Sequence, residues 1–375
     1  MNYRKNKFLK ESFLNLFLSK LFRLNWVIVF CVFLLCLIGV AFLYSAAGGQ
    51  WNPWAKSHLY RSIIGIGLML LIALLPPKFY SNFSISCFII GLLSLLFVKF
   101  FGQGSVQRWI SFGGFNLQPS EPIKLALILV LAKYFHNISK VDLQKTSTFL
   151  LPIIFILLPG IFVITQPDLG TGLAIILLGI AILFYIGIPL KIVFLSFIVV
   201  ISCVPIIWSQ LYEYQKNRIL VFLNPQSDSL GSGYQIIQSK IAIGSGGLFG
   251  KGYLLGSQSR LNYLPEKHTD FVFTLISEEM GFLGSLILIF IFCFLITLIM
   301  RICFIVDTVF AKIVVFGVGF LIFLYVALNI GMVCGLLPVV GAPLPLISHG
   351  GTSLFTVLIG IGLVLSMSVH NKEYD

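Results

Sequence analysis

The chain has 375 residues, of which 58% are hydrophobic and only 10% charged, and its formal net charge is +12. Soluble domains are about 45–50% apolar and about 25% charged, so this composition excludes a soluble enzyme and leaves an integral membrane protein. The basic excess is divided between loops on two sides of the apolar segments, which excludes the single basic face that grips nucleic acid.

The N-terminal segment MNYRKNKFLKESFLNLFLSKLFR is strongly basic and leads into the first apolar run. A spanning helix needs about 20 predominantly apolar residues. About ten such stretches follow in chain order, near 26–46, 59–76, 80–101, 121–136, 148–166, 170–188, 190–210, 271–300, 310–333 and 351–370. Runs such as VIVFCVFLLCLIGVAFL are continuously apolar, whereas the strands of a membrane barrel alternate. The expected fold class is therefore all-α: a polytopic helix bundle forming one membrane domain over residues 1–375, with a basic N-terminus over 1–25. The first run is too long for a signal peptide and lacks a small-residue cleavage site, so it is expected to be retained.

Lysine and arginine in short loops set orientation. The basic N-terminus belongs in the cytoplasm, and an even number of spans returns the C-terminal SVHNKEYD there. Lys78, Lys140 with Lys145, Lys191, and Arg301 with Lys312 all fall in loops on that same side. The large loop 211–270 then faces outward, and it carries Lys216, Arg218, Lys240, Lys251, Arg260 and Lys267. This is either a solvated loop against anionic headgroups or a binding surface for a phosphate or pyrophosphate. Seven cysteines, Cys31, Cys36, Cys87, Cys203, Cys293, Cys303 and Cys334, lie in or beside apolar helices without metal-ligand spacing and read as small buried hydrophobes.

Polar groups at the mouths of spans are costly in lipid and mark function. In GSVQRWISFGGFNLQPSEPIK, residues 104–124, Ser120 is the expected N-cap, Pro122 suits the first turn, and Glu121 suits the positive end of the helix dipole. Glu121 and Lys124 share a helix face; they form a salt bridge or line a polar cavity. In TQPDLGTG, Asp168 precedes a helix and reads as a cap or as a functional polar residue at the mouth of the bundle. In LNYLPEKHTDFVF, residues 261–273, Glu266, Lys267, His268 and Asp270 abut a long apolar run; Asp270 is either a helix cap or a working carboxylate. Glu278 and Glu279 fall deeper along the same helix, too far around and below Asp270 to pair with it directly. The prolines and glycines of LPVVGAPLPLISHGGTS, residues 337–353, forbid a continuous helix there.

The strings RWISFGGFNLQPSEPIKLA, TQPDLGTGLAIILLG, GSGYQIIQSKIAIGSGGLFGKG, LPEKHTDFVFTLISEEMGFLG and LPVVGAPLPLISHGGTSLF stand in this order over about 105–370. They resemble the signature blocks of the SEDS (shape, elongation, division and sporulation) family, and PEKHTDF, GSQSRLNYLPE and PVVGAPLPLISHGG are most similar to its elongation branch. His349 departs from the tyrosine usual in that position, so any role needing a phenol there is in doubt.

The resemblance implies a peptidoglycan glycosyltransferase at the outer face of the bacterial cytoplasmic membrane. It would polymerise lipid II into glycan strands for lateral wall elongation and release undecaprenyl pyrophosphate. Forming a β-1,4 link from an α-linked pyrophosphate inverts the anomeric centre, which needs one base and a counter-charge for the leaving group. Asp270 is then the general base. Arg108, Arg218 and Lys240 are the cations for the pyrophosphate, with Glu121, Lys124, His268 and Ser348 at the substrate site. The implied partners are a class B penicillin-binding protein and other elongation-complex proteins; a divalent cation is left open. A lipid II flippase and a non-catalytic scaffold are the alternatives. Gly281, Gly284, Gly317 and Gly319 are read as a surface for docking a partner helix.

Overall fold

A computed structural model of the chain describes residues 20–101, 108–112, 115–139, 141–166, 168–210, 213–228, 231–257 and 268–371. Most of the basic N-terminus, Lys140, Arg260, Glu266 and Lys267 lie outside the described residues. The helices are α1 (Trp26–Ala46), α2 (Trp54–Leu74), α3 (Pro77–Phe101), α4 (Pro122–His136), α5 (Leu150–Thr165), α6 (Leu169–Ile186), α7 (Leu190–Gln210), α8 (Glu213–Leu223), α9 (Ser232–Ser245), α10 (Val272–Ile305), α11 (Val309–Val333) and α12 (Gly351–Val369). The protein is an all-α multi-pass membrane bundle. Among the described residues eight helices are long and apolar enough to cross a bilayer; α4, with 15 residues, and α7 fall on the other two expected stretches.

Local sequence explains the helix ends. Asn25, Asp168 and Thr308 cap α1, α6 and α11 by accepting the backbone N–H three residues on. Pro122 opens α4, but the N-cap is Glu121, whose side chain makes no capping bond; Ser120 is buried one residue earlier and does not cap. Two features were not foreseen. Two short strands, β1 (Ile110–Phe112) and β2 (Phe115–Leu117), pair antiparallel, with Ile110 opposite Leu117. The interval 211–270 holds α8 and α9 rather than plain loop.

Packing places α4, α11 and α12 at the centre. The helix α12 lies along α2, α11 contacts α4, α6, α10 and α12, and the pairs α5–α6 and α3–α4 close the bundle. The outer helices keep apolar side chains exposed, Ile90, Phe100, Ile161 and Phe290 among them, as lipid-facing surfaces do. Cys87 and Cys293 are on those exposed faces, which corrects their assignment as buried; Cys31, Cys36 and Cys303 are buried.

The helix α10 is two helices joined at a kink. Gly281 sits at φ 69° and ψ −163°, which a β-carbon disfavours, and a Cβ there would lie 2.3 Å from Gly250 N. The strap 246–252 replaces the broken helical ladder: Lys251 N and Gly252 N donate to the carbonyls of Glu278 and Glu279, and Phe282 N and Leu283 N donate to those of Gly247 and Leu248. Gly281 is thus consumed inside the fold. Gly317 packs on Ile128 and Gly319 on Met300, so these two glycines serve packing within the chain, whereas a Cβ on the half-buried Gly284 would meet only Met280 of its own helix.

Candidate active site

Three segments separated in sequence meet in one half-open cavity of about 140 Å³: the mouth of α4, the turn before α10, and the irregular stretch 334–350 between α11 and α12. Glu121, Lys124, Asp270, Tyr325, Gly341 and His349 all line it, with Trp109 and Gln118 flanking the two strands and Thr171 from α6.

The Glu121–Lys124 pair is real, and it has a third member. Lys124 Nζ donates to Glu121 Oε1 at 2.7 Å and to Tyr325 Oη at 2.7 Å, and the Tyr325 hydroxyl donates to Glu121 Oε2. The ammonium also lies 4.6 Å from the Tyr325 ring centroid. Lys124 is 1% exposed and Glu121 4%, so both charges are offset inside the triangle rather than by water. Pairing and cavity lining, posed as alternatives by the sequence, are both true. Tyr325 was missed. Its signal was a lone phenol inside an apolar span, where an O–H needs a partner.

Asp270 is half-buried, one residue before the N-cap Phe271, so it does not cap α10. Gly341 faces it: a Cβ on Gly341 would lie 3.4 Å from Asp270 Oδ2, and the glycine keeps that space open. The turn carrying Asp270 is held carbonyl by carbonyl. His349 N donates to His268 O at 2.9 Å, Ser348 Oγ donates to Thr269 O, and Asn329 Nδ2 donates to Asp270 O at 2.8 Å.

The remaining site residues divide. Ser348 is 3% exposed, and its hydroxyl also accepts from Leu344 N at 2.9 Å, so it shapes the turn and is not among the cavity-lining residues. The His268 ring stacks on Trp54, with centroids 4.2 Å apart and planes 8° apart. Arg108 lies 3.5 Å from Asp168, which caps α6 and accepts from the Thr171 hydroxyl at 3.0 Å; Asp168 is not among the cavity-lining residues. Arg218 donates to Val339 O at 3.1 Å, next to the lining residue Val340. Lys240 is exposed and lies instead against Gly335, whose added Cβ would come within 2.1 Å of its Cε; it does not line the cavity. Glu278 and Glu279, each 1% exposed, stay outside as well: Glu278 pairs with Lys251 at 2.8 Å and Glu279 accepts from Ser45.

His349 brings a neutral ring where a phenol was expected. Arg61 Nη1 donates to its Nε2 at 3.3 Å, which requires that nitrogen to be the acceptor. Burial, then the neighbouring Arg61 and His268, lower its pKa to about 4.

The family model for FtsW, RodA and SpoVE, described as cell cycle protein, matches residues 25–373. The chain is 39% identical to the peptidoglycan glycosyltransferase MrdB of Escherichia coli strain K12 over 345 residues, covering 91% of this chain and 92% of the relative. It resembles a chain of a solved peptidoglycan synthase complex with a TM-score of 0.78 and 30% identity, over 93% of this chain and 99% of that one. It also resembles the rod shape determining protein RodA of Thermus thermophilus, with a TM-score of 0.66 and 25% identity over 93% and 98% of the two chains.

Proposed function

Since the chain belongs to the FtsW, RodA and SpoVE family of cell cycle proteins, we propose that it is a peptidoglycan glycosyltransferase that polymerises lipid II, with Asp270 as general base. The observation that carries this reading is one cavity bordered both by Asp270 and by the buried Glu121–Lys124–Tyr325 triangle. The acceptor 4-hydroxyl attacks the anomeric carbon of the donor as the bond to the pyrophosphate breaks. The hydroxyl proton passes to the Asp270 carboxylate, and the bonding electrons leave on undecaprenyl pyrophosphate. Inversion in one displacement needs no covalent carboxylate intermediate. The cavity is smaller than the roughly 300–1,000 Å³ of whole-ligand sites, so it admits the reacting groups while the lipid and stem peptide lie outside.

Arg108 and Arg218 contact residues at or beside the cavity wall and are the cations assigned to the leaving pyrophosphate; Lys240, over Gly335, is assigned to its approach. Lys124 is occupied by Glu121 and Tyr325 and acts through the shape and field of the wall. Among the described residues no group of three or more His, Cys, Asp or Glu is gathered to hold an ion. The working setting is the bacterial cytoplasmic membrane with the cavity outward, both termini inside, and a class B penicillin-binding protein as the transpeptidase partner in wall elongation. The test is polymerisation of lipid II by the purified chain with that partner. Glycan strands from the wild type and none from Asp270→Asn are expected; no polymer from the wild type, or transbilayer movement of lipid II without polymer, overturns the reading.

A further inference from the structure

The carbonyl of Asp270 is not taken up by the helix that follows it. Thr274 N and Leu275 N both donate to Phe271 O, and Asp270 O accepts instead from a side chain in the last turns of a different helix, Asn329 of α11. The same Asn329 Nδ2 donates to Ala342 O at 2.7 Å. Its two hydrogens therefore join two walls of the cavity, the turn that bears Asp270 and the stretch 341–342, where Gly341 faces the Asp270 carboxylate.

Chemistry fixes the orientation and the residue type. Turned about, Asn329 Oδ1 would point at two carbonyl oxygens and bond neither. Serine and threonine carry one hydroxyl hydrogen, ionised aspartate none, and glutamine is one methylene longer; asparagine alone supplies a neutral two-hydrogen donor at this reach. The clamp has a cost. Asn329 is fully buried, and among the described residues no protein group donates to its Oδ1, an arrangement that disfavours the folded state relative to a fully paired group.

We propose that Asn329 is a positioning residue, whose amide sets the separation between Asp270 and the Gly341–Ala342 wall and so the alignment of the base with the acceptor hydroxyl. This rests on Asp270 being the base. Displacement of a reacting group by about 1 Å costs on the order of 10²-fold in rate, and removal of the clamp frees both walls at once.

The experiment uses the full chain with its transpeptidase partner, lipid II as the probe, and the variants Asn329→Leu, Asn329→Asp and Asn329→Gln beside Asp270→Asn. We expect kcat to fall about 10²-fold in Asn329→Leu and Asn329→Asp, with partial recovery in Asn329→Gln. KM for lipid II should stay near that of the wild type, since substrate contacts do not change; the thermal midpoint falls because buried carbonyls lose their donor, so kcat is read per folded molecule. Wild-type kcat in Asn329→Leu overturns the inference. So does a loss of activity that only tracks loss of folded protein, including failure of both Asn329→Leu and Asn329→Asp to fold. Polymer from Asp270→Asn is a separate outcome, and it removes the base assignment on which the inference stands.

Discussion

Among the described residues, two lysine–glutamate pairs bury a carboxylate in this bundle, and they differ in what lies beside them. At the mouth of α4, Lys124 and Glu121 are 2.7 Å apart and border a cavity that Asp270 also borders. At the kink of α10, Lys251 and Glu278 are 2.8 Å apart, Ser257 Oγ completes the group at 3.0 Å, the strap 246–252 takes up the broken ladder with main-chain hydrogen bonds, and neither residue of the pair lines the Asp270 cavity. Both pairs set an ammonium and a hydroxyl against a buried carboxylate, although Lys251 is part-exposed and Lys124 is not. A buried ion pair is therefore no mark of a site by itself; the space next to it is. The first pair shapes a place where substrate enters, and the second repairs a helix broken at Gly281.

The largest effect that sharpens this contrast is expected at Asp270. General-base catalysis contributes on the order of 10² to 10⁴ in rate, so Asp270→Asn should lower lipid II polymerisation by that factor while partner binding and the thermal midpoint stay unchanged. Gel analysis of the glycan product checks it. Near-normal strands would detach the cavity from the chemistry and dissolve the distinction between the two pairs.

Next in size is Lys124→Ala. It leaves the 4%-exposed Glu121 with the Tyr325 hydroxyl alone, and breaking a buried pair costs about 3–5 kcal/mol. Polymerisation per folded molecule should fall roughly 10²-fold as the wall shifts. A variant that is destabilised yet turns over normally would place this pair in the same class as Lys251–Glu278.

The matching change at the kink, Lys251→Met, leaves the 1%-exposed Glu278 carboxylate without its cation though still bonded to Ser257, and should lower stability by at most about 3 kcal/mol. Turnover per folded molecule should be retained, because Lys251 touches no residue of the cavity in the contacts seen here. Thermal melts in detergent alongside single-enzyme-normalised rates separate the two outcomes. A loss of turnover at full folding would make the kink part of the working site.

How far the sequence could be read follows the same division. The spans were legible because a lipid-crossing helix must be continuously apolar, and Glu121, Lys124 and Asp270 because charges at span mouths are too costly to be idle. Asp168 was legible as a cap, but its hold on Arg108 was not, since a contact between two loops has no local signature. The helices α8 and α9 were hidden by the polar composition of 211–270, and the kink at Gly281 by a pattern that reads as one unbroken run. Tyr325 and Asn329 stand four residues apart on one face of α11 and form a faint polar stripe. What they hold, Lys124 on one side and the Asp270 carbonyl on the other, is set by which segments the bundle brings together.

The smallest expected effect concerns His349, the one cavity-lining residue that departs from the family's usual tyrosine. Its pKa in the fold, about 4, lies below the ordinary 6.5, chiefly through burial and then through Arg61 and His268. As pH falls through 6.5 the unfolded chain takes up this proton while the folded chain does not. The contribution of His349 is thus complete above pH 6.5, declines as pH falls, and is gone near pH 4. Tyrosine does not titrate in that window, since its ordinary pKa is about 10. The His349→Tyr variant should therefore lose less of its thermal midpoint between pH 6.5 and 4 than the wild type. Because the imidazole is half-buried the difference is modest, and because it is uncharged at neutral pH, turnover there should be retained by a phenol that can still accept from Arg61. Parallel melting curves for the two proteins would mean that His349 protonates in the fold as readily as in the unfolded chain, and the Arg61 contact would then have to be redrawn.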